Sequence, residues 1–171
     1  VWNFSFHLKG DSSNPANPGL IKGLEKYMRD SRWERSTSAG RDLEYFVFAA
    51  GNVSRETADD GDFCDVYPAC FMDKGKDAGT ILTIVGAQIG DSGHPTLWES
   101  EDGETVSYSN PRLFQVAAIA KDVPLSLPGS GNAYTIDSGT SYAAPQVAGL
   151  IAALRAAEQH HPTEIVGRIM A

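Results

Sequence analysis

One serine lies in a sequence setting that suits nucleophilic catalysis. Ser141 belongs to the stretch Ser-Gly-Thr-Ser-Tyr-Ala-Ala-Pro at residues 138–145, directly before a long apolar segment. If that segment is a helix, its first N–H groups lack partners within it, and the helix dipole favours negative charge there. An oxyanion, formed when a serine attacks a carbonyl, needs that environment, and Gly139 lets the backbone approach closely. The alternative is that Ser141 or Thr140 merely caps the helix.

A second segment is an apolar run that ends at a glycine and an asparagine. Residues 46–52 are Phe-Val-Phe-Ala-Ala-Gly-Asn, which is typical of a buried parallel strand followed by a turn. Asn52 also opens an Asn-Val-Ser sequon. From the residues alone, Asn52 is therefore a turn residue or a glycosylation site as readily as a functional one.

Together the two segments resemble the subtilases, a family of serine proteases. The match at residues 139–149 extends over the nucleophile signature, with its glycines, its proline and the Val-Ala-Gly that follows. The resemblance implies that Ser141 is the nucleophile. It also implies that the Asn52 side-chain amide and the Ser141 backbone N–H form the oxyanion hole, in which case Asn52 should be too enclosed for glycosylation.

Weaker matches to the family occur in the expected order along the chain. Residues 1–6 resemble its Asn-x-Ser strand, whose continuation lines the substrate groove and would pair with an extended peptide. The family has a glycine where this chain has His7, and Pro-Gly where this chain has Ile119 and Ala120. We therefore expect the groove near His7 and the turn at residues 119–120 to be altered. The substrate-binding residues implied by the resemblance are Ser5, Phe6, Ala49, Ala50, Gly51 and Thr140.

The elements around these residues alternate between strands and helices. Apolar periodicity predicts a helix over residues 20–29 and a long, buried helix over 141–160. Strands are predicted at residues 1–6, 45–50, 81–87 and 113–119. Polar insertions or loops are predicted at about 8–17, 30–42, 71–79, 88–104 and 120–132. This order predicts an α/β fold with a parallel, subtilisin-like sheet flanked by helices, and a site at the carboxyl ends of the strands.

Bulk composition narrows the class of protein. The 171 residues suit one domain, and 42% hydrophobic with 21% charged residues is ordinary for a globular chain. A formal net charge of −8 argues against a nucleic-acid partner. No apolar run reaches the roughly 18–20 residues that span a bilayer. Cys64 and Cys70 could form a short-loop disulfide in a secreted protein or remain free thiols.

The chain lacks a recognisable general base. In the family the triad runs in the order Asp, His, Ser, so both partners of Ser141 would lie before Val1. None of the histidines has the setting of the family's catalytic histidine; these are His7, His94, His160 and His161. Without a base a serine stays a weak nucleophile. We therefore expect residues 1–171 to be the C-terminal portion of a subtilisin-like peptidase domain, inactive alone.

A trypsin-like motif in the chain is interpreted as coincidence. Residues 90–95 are Gly-Asp-Ser-Gly-His-Pro, one residue from the Gly-Asp-Ser-Gly-Gly-Pro of double β-barrel proteases. Here the motif falls in a polar insertion of an α/β chain. It therefore does not change the predicted class.

The sequence thus predicts a serine endopeptidase that acts on peptide or protein substrates through an acyl-enzyme on Ser141. Its expected partner is the missing N-terminal part of the same domain, and the expected location is extracytoplasmic. No cofactor is assigned, although Asp59, Asp60 and Asp62 could ligate calcium or simply form a solvated loop. Two alternatives remain open: a pseudoprotease or peptide-binding module without catalysis, and a non-catalytic structural domain.

Overall fold

The architecture comes from a computed structural model in which one helix lies between the first and the central strands and a long helix follows the last strand. It describes residues 1–6, 8–9, 19–24, 26–28, 44–52, 66–67, 81–99, 116–129, 131, 133–158, 164–165 and 169. Helical residues 19–24 and 26–28 form α1, and α2 is Thr140–Glu158. The strands are β1 Trp2–Phe4, β2 Leu8–Lys9, β3 Phe46–Ala49, β4 Val66–Tyr67, β5 Ile81–Ile89, β6 Pro95–Leu97, β7 Val116–Ile119, β8 Val123–Ser126 and β9 Tyr134–Asp137.

The central sheet is mostly parallel. Strand β1 pairs with β3, β3 pairs with β5, and β5 pairs with β7, all in parallel. Because the two strands of each pair run in the same direction, a crossover segment must connect them, as the predicted α/β fold requires. Among the described strands of this sheet, only β6 departs from this pattern, since it pairs antiparallel with the end of β5. The predicted fold class is therefore confirmed, with a mixed rather than purely parallel sheet.

Apolar residues cover both faces of the sheet, and alternate residues of β3 show why. Val47 and Ala49 belong to the cluster that contains the buried residues of α2. Phe46 and Phe48 belong to a second cluster with Met28 of α1. Because successive strand side chains point to opposite faces, one apolar run supplies both layers. The result is a sheet flanked by a helix on either side.

Helix α2 is buried on one face only, which differs from the prediction. Its buried side chains pack on the sheet and include Ala143, Ala144, Val147, Ala148 and Ile151. Leu150 is 46% exposed, and a Cβ added to Gly149 would meet no atom within 4 Å. The sequence pattern missed this because the residues on the exposed face are also small or apolar. Nothing among the described residues covers that face.

Two hairpins were not predicted. Strand β5 continues two residues beyond the predicted end and turns back into β6 within the insertion at 88–104. Strand β8 lies in the predicted Pro/Gly/Ser-rich loop and pairs antiparallel with β9, where no element was predicted. Strand β9 alternates between apolar and polar residues, but all four are exposed, so it is not the half-buried strand that such alternation usually marks.

The altered turn after β7 is compatible with the fold. Ala120, where the family has a glycine, is fully buried. Its N–H donates to Ala87 O at 2.8 Å, and its carbonyl accepts from Gly139 N at 2.8 Å. The turn therefore links β5 directly to the segment that carries Ser141.

Candidate active site

The carboxyl ends of β1 and β3 meet the start of α2, and this junction forms the candidate site. Residues 5–6 follow β1, residues 50–52 follow β3, and Ser141 is the second residue of α2. Gly51 has φ 99°, a conformation that favours glycine and that turns the chain sharply between the strand and Asn52. Parallel strands place such ends at one edge of a sheet, where ligands bind in open α/β folds.

Asn52 and Thr140 are joined by several hydrogen bonds. Thr140 N donates to Asn52 Oδ1 at 2.9 Å, and Thr140 Oγ1 donates to the same oxygen at 2.9 Å. Thr140 Oγ1 in turn accepts from Gly51 N at 3.1 Å. Because a backbone N–H can only donate, the oxygen of the amide must face Thr140. The Asn52 Nδ2 group is thereby left as a donor on the other side of the amide.

The Ser141 hydroxyl is held by backbone, not by a base. Its Oγ donates to Ser5 O at 3.0 Å in a partly buried position. Since a carbonyl oxygen is not basic enough to take up the proton, this bond orients the hydroxyl without activating it. As the second residue of α2, Ser141 also carries one of the N–H groups that no preceding helical turn can bond.

A depression that is open to solvent lies over these groups. The residues that line it are Phe6, Ala49, Gly51, Asn52, Thr140 and Ser141. Five of the predicted site positions therefore share this depression with Ser141. Ser5 lies beside it and contributes its carbonyl to the Ser141 hydroxyl.

The turn before Ser141 is fixed at each of its residues. Asp122 N donates to Ser138 Oγ at 3.0 Å, and Gly139 N donates to Ala120 O at 2.8 Å. A Cβ added to Gly139 would lie 3.2 Å from Asn52 Nδ2. This contact is tight, so the glycine allows the Asn52 amide to sit against the turn.

A hydrogen-bonded pair that the sequence did not suggest spans the same turn. Tyr142 Oη donates to Asp137 Oδ2 at 2.7 Å, and Ser138 N donates to Asp137 Oδ1 at 2.7 Å. The Tyr142 and Ser138 bonds hold the pKa of Asp137 below its usual value. Conversely, the bond to Asp137 raises the pKa of Tyr142. A spacing of five residues across a strand-to-helix turn has no recognised sequence pattern, so only the structure identifies this pair.

Two site predictions differ from the geometry. Ala50 is buried, and its N–H donates to Ile84 O at 3.0 Å, so it supports the strand and does not line the depression. Asn52 is exposed rather than enclosed as expected, because no described residue covers the amide on its solvent side.

Of the histidines, only His94 falls in the described part of the chain. It is exposed in the turn between β5 and β6, where its carbonyl accepts from Gly90 N at 2.9 Å. Ser92 of the trypsin-like motif lies in the same exposed turn. Outside the described residues lie His7, His160, His161, Cys64, Cys70, Asp59, Asp60 and Asp62.

Neither a metal cluster nor a membrane-spanning helix occurs in the described ranges. No three His, Cys, Asp or Glu residues there are grouped to hold a metal ion. Likewise, no helix in that part of the chain is both long and apolar enough to cross a membrane.

Comparison with known families decides the relationship. A sequence profile described as the Subtilase family, Peptidase S8, matches residues 1–170. The chain belongs to the subtilase family. The resemblance seen in the motifs at residues 46–52 and 139–149 is thereby confirmed. No curated protein sequence is similar enough to count as a match.

Solved structures agree on the subtilase fold. A structure of subtilase cytotoxin SubAB assembly matches with a TM-score of 0.64 and 20% identity, covering 95% of this chain and 47% of that one. A cold adapted subtilisin-like serine proteinase gives 0.53 and 19%, covering 96% and 45%. Sphericase gives 0.58 and 17%, covering 98% and 46%. The chain thus spans about half the length of these structures.

Proposed function

We propose that this subtilase chain carries the acyl-transfer half of a serine endopeptidase site. Ser141 is the nucleophile that forms the acyl-enzyme, and the oxyanion is bound by Asn52 Nδ2 and the Ser141 N–H. The observation that carries the proposal is the fixed orientation of the Asn52 amide. Two donors from Thr140 occupy its Oδ1 at 2.9 Å each, so Nδ2 is the group left to donate to a developing charge.

The substrate is a peptide or protein chain that binds along residues 5–6. Ser5 and Phe6 continue directly from β1, and Phe6 lines the depression with Ala49 and Gly51. An extended peptide could add to such a backbone as a further strand, which would place its scissile carbonyl near Ser141. The Ser141 hydroxyl must then leave Ser5 O and turn towards the carbonyl carbon.

The base and its orienting carboxylate come from residues outside this chain, in the N-terminal part of the same domain. The described part of the chain offers only His94, which is exposed in a hairpin turn. Ser141 donates to a carbonyl instead of to an imidazole. We therefore infer that the 171 residues alone do not hydrolyse peptides. Membership of the subtilase family separately supports an extracytoplasmic location for the complete domain.

Hydrolysis of a protein substrate by the full-length protein tests the assignment. We expect denatured casein to be cleaved by the wild type and not by Ser141→Ala, with a loss on the order of 10⁶ in turnover, as in subtilisin, which belongs to this family. Cleavage retained in Ser141→Ala would reject Ser141 as the nucleophile. Peptide binding without cleavage by the wild type would favour the pseudoprotease.

A further inference from the structure

The residues at either end of the Ser141 turn are tied together by one side-chain bond. Asp137 is the last residue of β9, and Tyr142 is the third residue of α2. Their side chains meet at 2.7 Å, with Tyr142 Oη donating to Asp137 Oδ2. The bond therefore closes a loop around the intervening residues 138–141, which include Ser141.

Asp137 has both carboxylate oxygens engaged within this turn. Oδ1 accepts from Ser138 N at 2.7 Å, while Oδ2 accepts from Tyr142 Oη. Hydrogen bonds to an ionised acceptor are shorter and stronger than those between neutral groups. Each residue shifts the pKa of the other in the direction that preserves the bond. The pKa of Asp137 is lowered, and that of Tyr142 is raised.

The Tyr142 ring also contacts the turn that it closes. A Cβ built on Gly139 would lie 3.6 Å from two ring carbons of Tyr142, on a position that also faces Asn52 Nδ2. Tyr142 N donates to Gly139 O at 3.0 Å. The ring and the Asn52 amide thus lie on the same side of this glycine, and Ser141 directly precedes Tyr142. A shift of Tyr142 would therefore be transmitted to both proposed oxyanion donors.

The backbone of Tyr142 in α2 is held by a separate set of hydrogen bonds from Gln146. Gln146 Nε2 donates to Tyr142 O at 2.9 Å and to Ile119 O at 2.8 Å. This holds α2 to β7. The Tyr142–Asp137 bond adds a side-chain contact between α2 and the end of β9, beyond the bonds that Ser138 and Gly139 make within the turn.

We propose that the hydrogen bond between Tyr142 and Asp137 holds the Ser141 turn in its reactive geometry, which makes both residues positioning residues for acyl transfer. The inference rests on the proposed function. Neither residue lines the depression over Ser141, so they act through the turn and not on the substrate. Misplacement of a reacting group by about 1 Å can cost on the order of 10² in rate, so a smaller shift has a measurable effect.

The test uses full-length protein and a fluorogenic peptide that the wild type cleaves. Tyr142→Phe keeps the ring against Gly139 and removes only the hydroxyl. We expect kcat to fall about tenfold with KM within about twofold, because the turn moves while the groove does not. Asp137→Ala should give at least this loss, because it also removes the acceptor of Ser138 N. The double variant should lose no more than Asp137→Ala, since Tyr142→Phe then removes no further bond.

Tyr134→Phe is the matched control, because Tyr134 lies on the same hairpin and is 71% exposed. It should retain the wild-type kcat. An unchanged kcat in Tyr142→Phe, an equal loss in Tyr134→Phe, or additive losses in the double variant would each overturn the inference while leaving the peptidase intact. A wild-type protein that cleaves nothing, like Ser141→Ala, would instead overturn the proposed function and this inference with it.

Discussion

At the scale of single residues, the two ends of the Asn52 amide face different groups. Its Oδ1 is occupied by Thr140 N and Thr140 Oγ1, while Nδ2 lies beside Gly139. The motif after β3 was sufficient to single out Asn52, and the motif at residues 139–149 to single out Ser141. The roles of Thr140 as the residue that orients the amide and of Asp137 as an anchor needed the structure, because they depend on side-chain directions.

Asn52→Asp separates these two ends of the side chain. The aspartate keeps an oxygen for Thr140 but replaces the Nδ2 donor by a second oxygen. In the full-length protein we expect kcat to fall by at least about 10²–10³, the magnitude found for loss of one oxyanion donor in subtilisin, a member of this family. KM should change little, because the donor acts mainly in the transition state.

Gln88→Glu provides a control with the same amide-to-carboxylate change. Gln88 Oε1 accepts from Glu99 N at 3.3 Å in the β5–β6 hairpin, and the variant retains that acceptor. Steady-state kinetics should leave it near wild type. If Asn52→Asp kept turnover within about threefold of wild type, the oxyanion role of Asn52 would be rejected.

Tyr45 carries a polar hydroxyl group within the buried hydrophobic cluster. It is fully buried, and its hydroxyl has no hydrogen-bond partner in the described structure. An unsatisfied buried polar group costs about 1–3 kcal/mol. Tyr45→Phe removes it and keeps the ring that Arg155 faces at 5.7 Å. We expect the free energy of unfolding of the chain to rise by about 1 kcal/mol in urea denaturation.

The difference in stability between Tyr45→Phe and the wild type should increase at high pH. Burial raises the pKa of Tyr45 to about 12, and the charge of Arg155 only partly opposes the shift. The native state therefore keeps its proton while the unfolded state loses it above about pH 10. Stability linked to Tyr45 is present below that pH and is lost as the pH rises towards 12, so wild type should weaken more steeply there than Tyr45→Phe.

Tyr27→Phe is the comparison for Tyr45→Phe. Tyr27 is 46% exposed, and its hydroxyl donates to Glu44 Oε2 at 3.2 Å. Its removal should not stabilise the protein. A loss of stability in Tyr45→Phe would show that the buried hydroxyl is satisfied after all.

At the scale of elements, the longest apolar runs were the most predictable. Strands β3, β5 and β7 and helix α2 occur where the sequence placed them, because continuous apolar residues require burial in any arrangement of the chain. The hairpin β8–β9 was not predicted. Strand β8 is only partly buried, at alternate residues, and β9 is exposed throughout. Pairing between the two strands therefore defines them more than burial does.

The junction between β9 and α2 depends on a glycine that cannot be enlarged freely. In Gly139→Ala the new Cβ would lie 3.2 Å from Asn52 Nδ2, and the amide would have to move by a few tenths of an ångström. We expect kcat of the full-length protein to fall by about tenfold through misplacement of this donor. Steady-state kinetics with the same fluorogenic peptide would measure it.

Replacing Gly149 by alanine should stabilise the protein, in contrast to the same substitution at Gly139. A Cβ there meets no atom within 4 Å, and alanine favours a helix interior over glycine by about 1 kcal/mol. Gly149→Ala should therefore raise the thermal midpoint of the 171-residue chain without the clash expected at Gly139. Equal kinetic effects of the two substitutions in the full-length protein would contradict the proposed contact between Gly139 and Asn52.

At the scale of the whole molecule, the sheet and its two helical layers bring together residues that are distant in sequence. Ser5, Asn52 and Ser141 meet because β1 and β3 are parallel neighbours and α2 starts at their carboxyl ends. The sequence predicted this edge of the sheet from the strand order. It could not reveal the exposed apolar face of α2, where Leu150 is 46% exposed, since burial there depends on what packs against the helix.

That exposed face agrees with the proposal that further residues complete the domain. The chain spans 45% to 47% of the solved structures it resembles, and its serine donates to a carbonyl. A nucleophile held in this way should react only when an additional segment supplies a base. The reactivity of Ser141 therefore indicates whether the segment that supplies the base is present.

Labelling by a fluorophosphonate probe, located by mass spectrometry, would show whether Ser141 is a nucleophile that needs a base from outside this chain. We expect stoichiometric modification of Ser141 in the full-length protein. We expect none in Ser141→Ala and none in the isolated 171-residue chain. Equal labelling of the isolated chain would contradict the need for an external base, and an unlabelled Ser141 in the full-length protein would contradict acyl transfer itself.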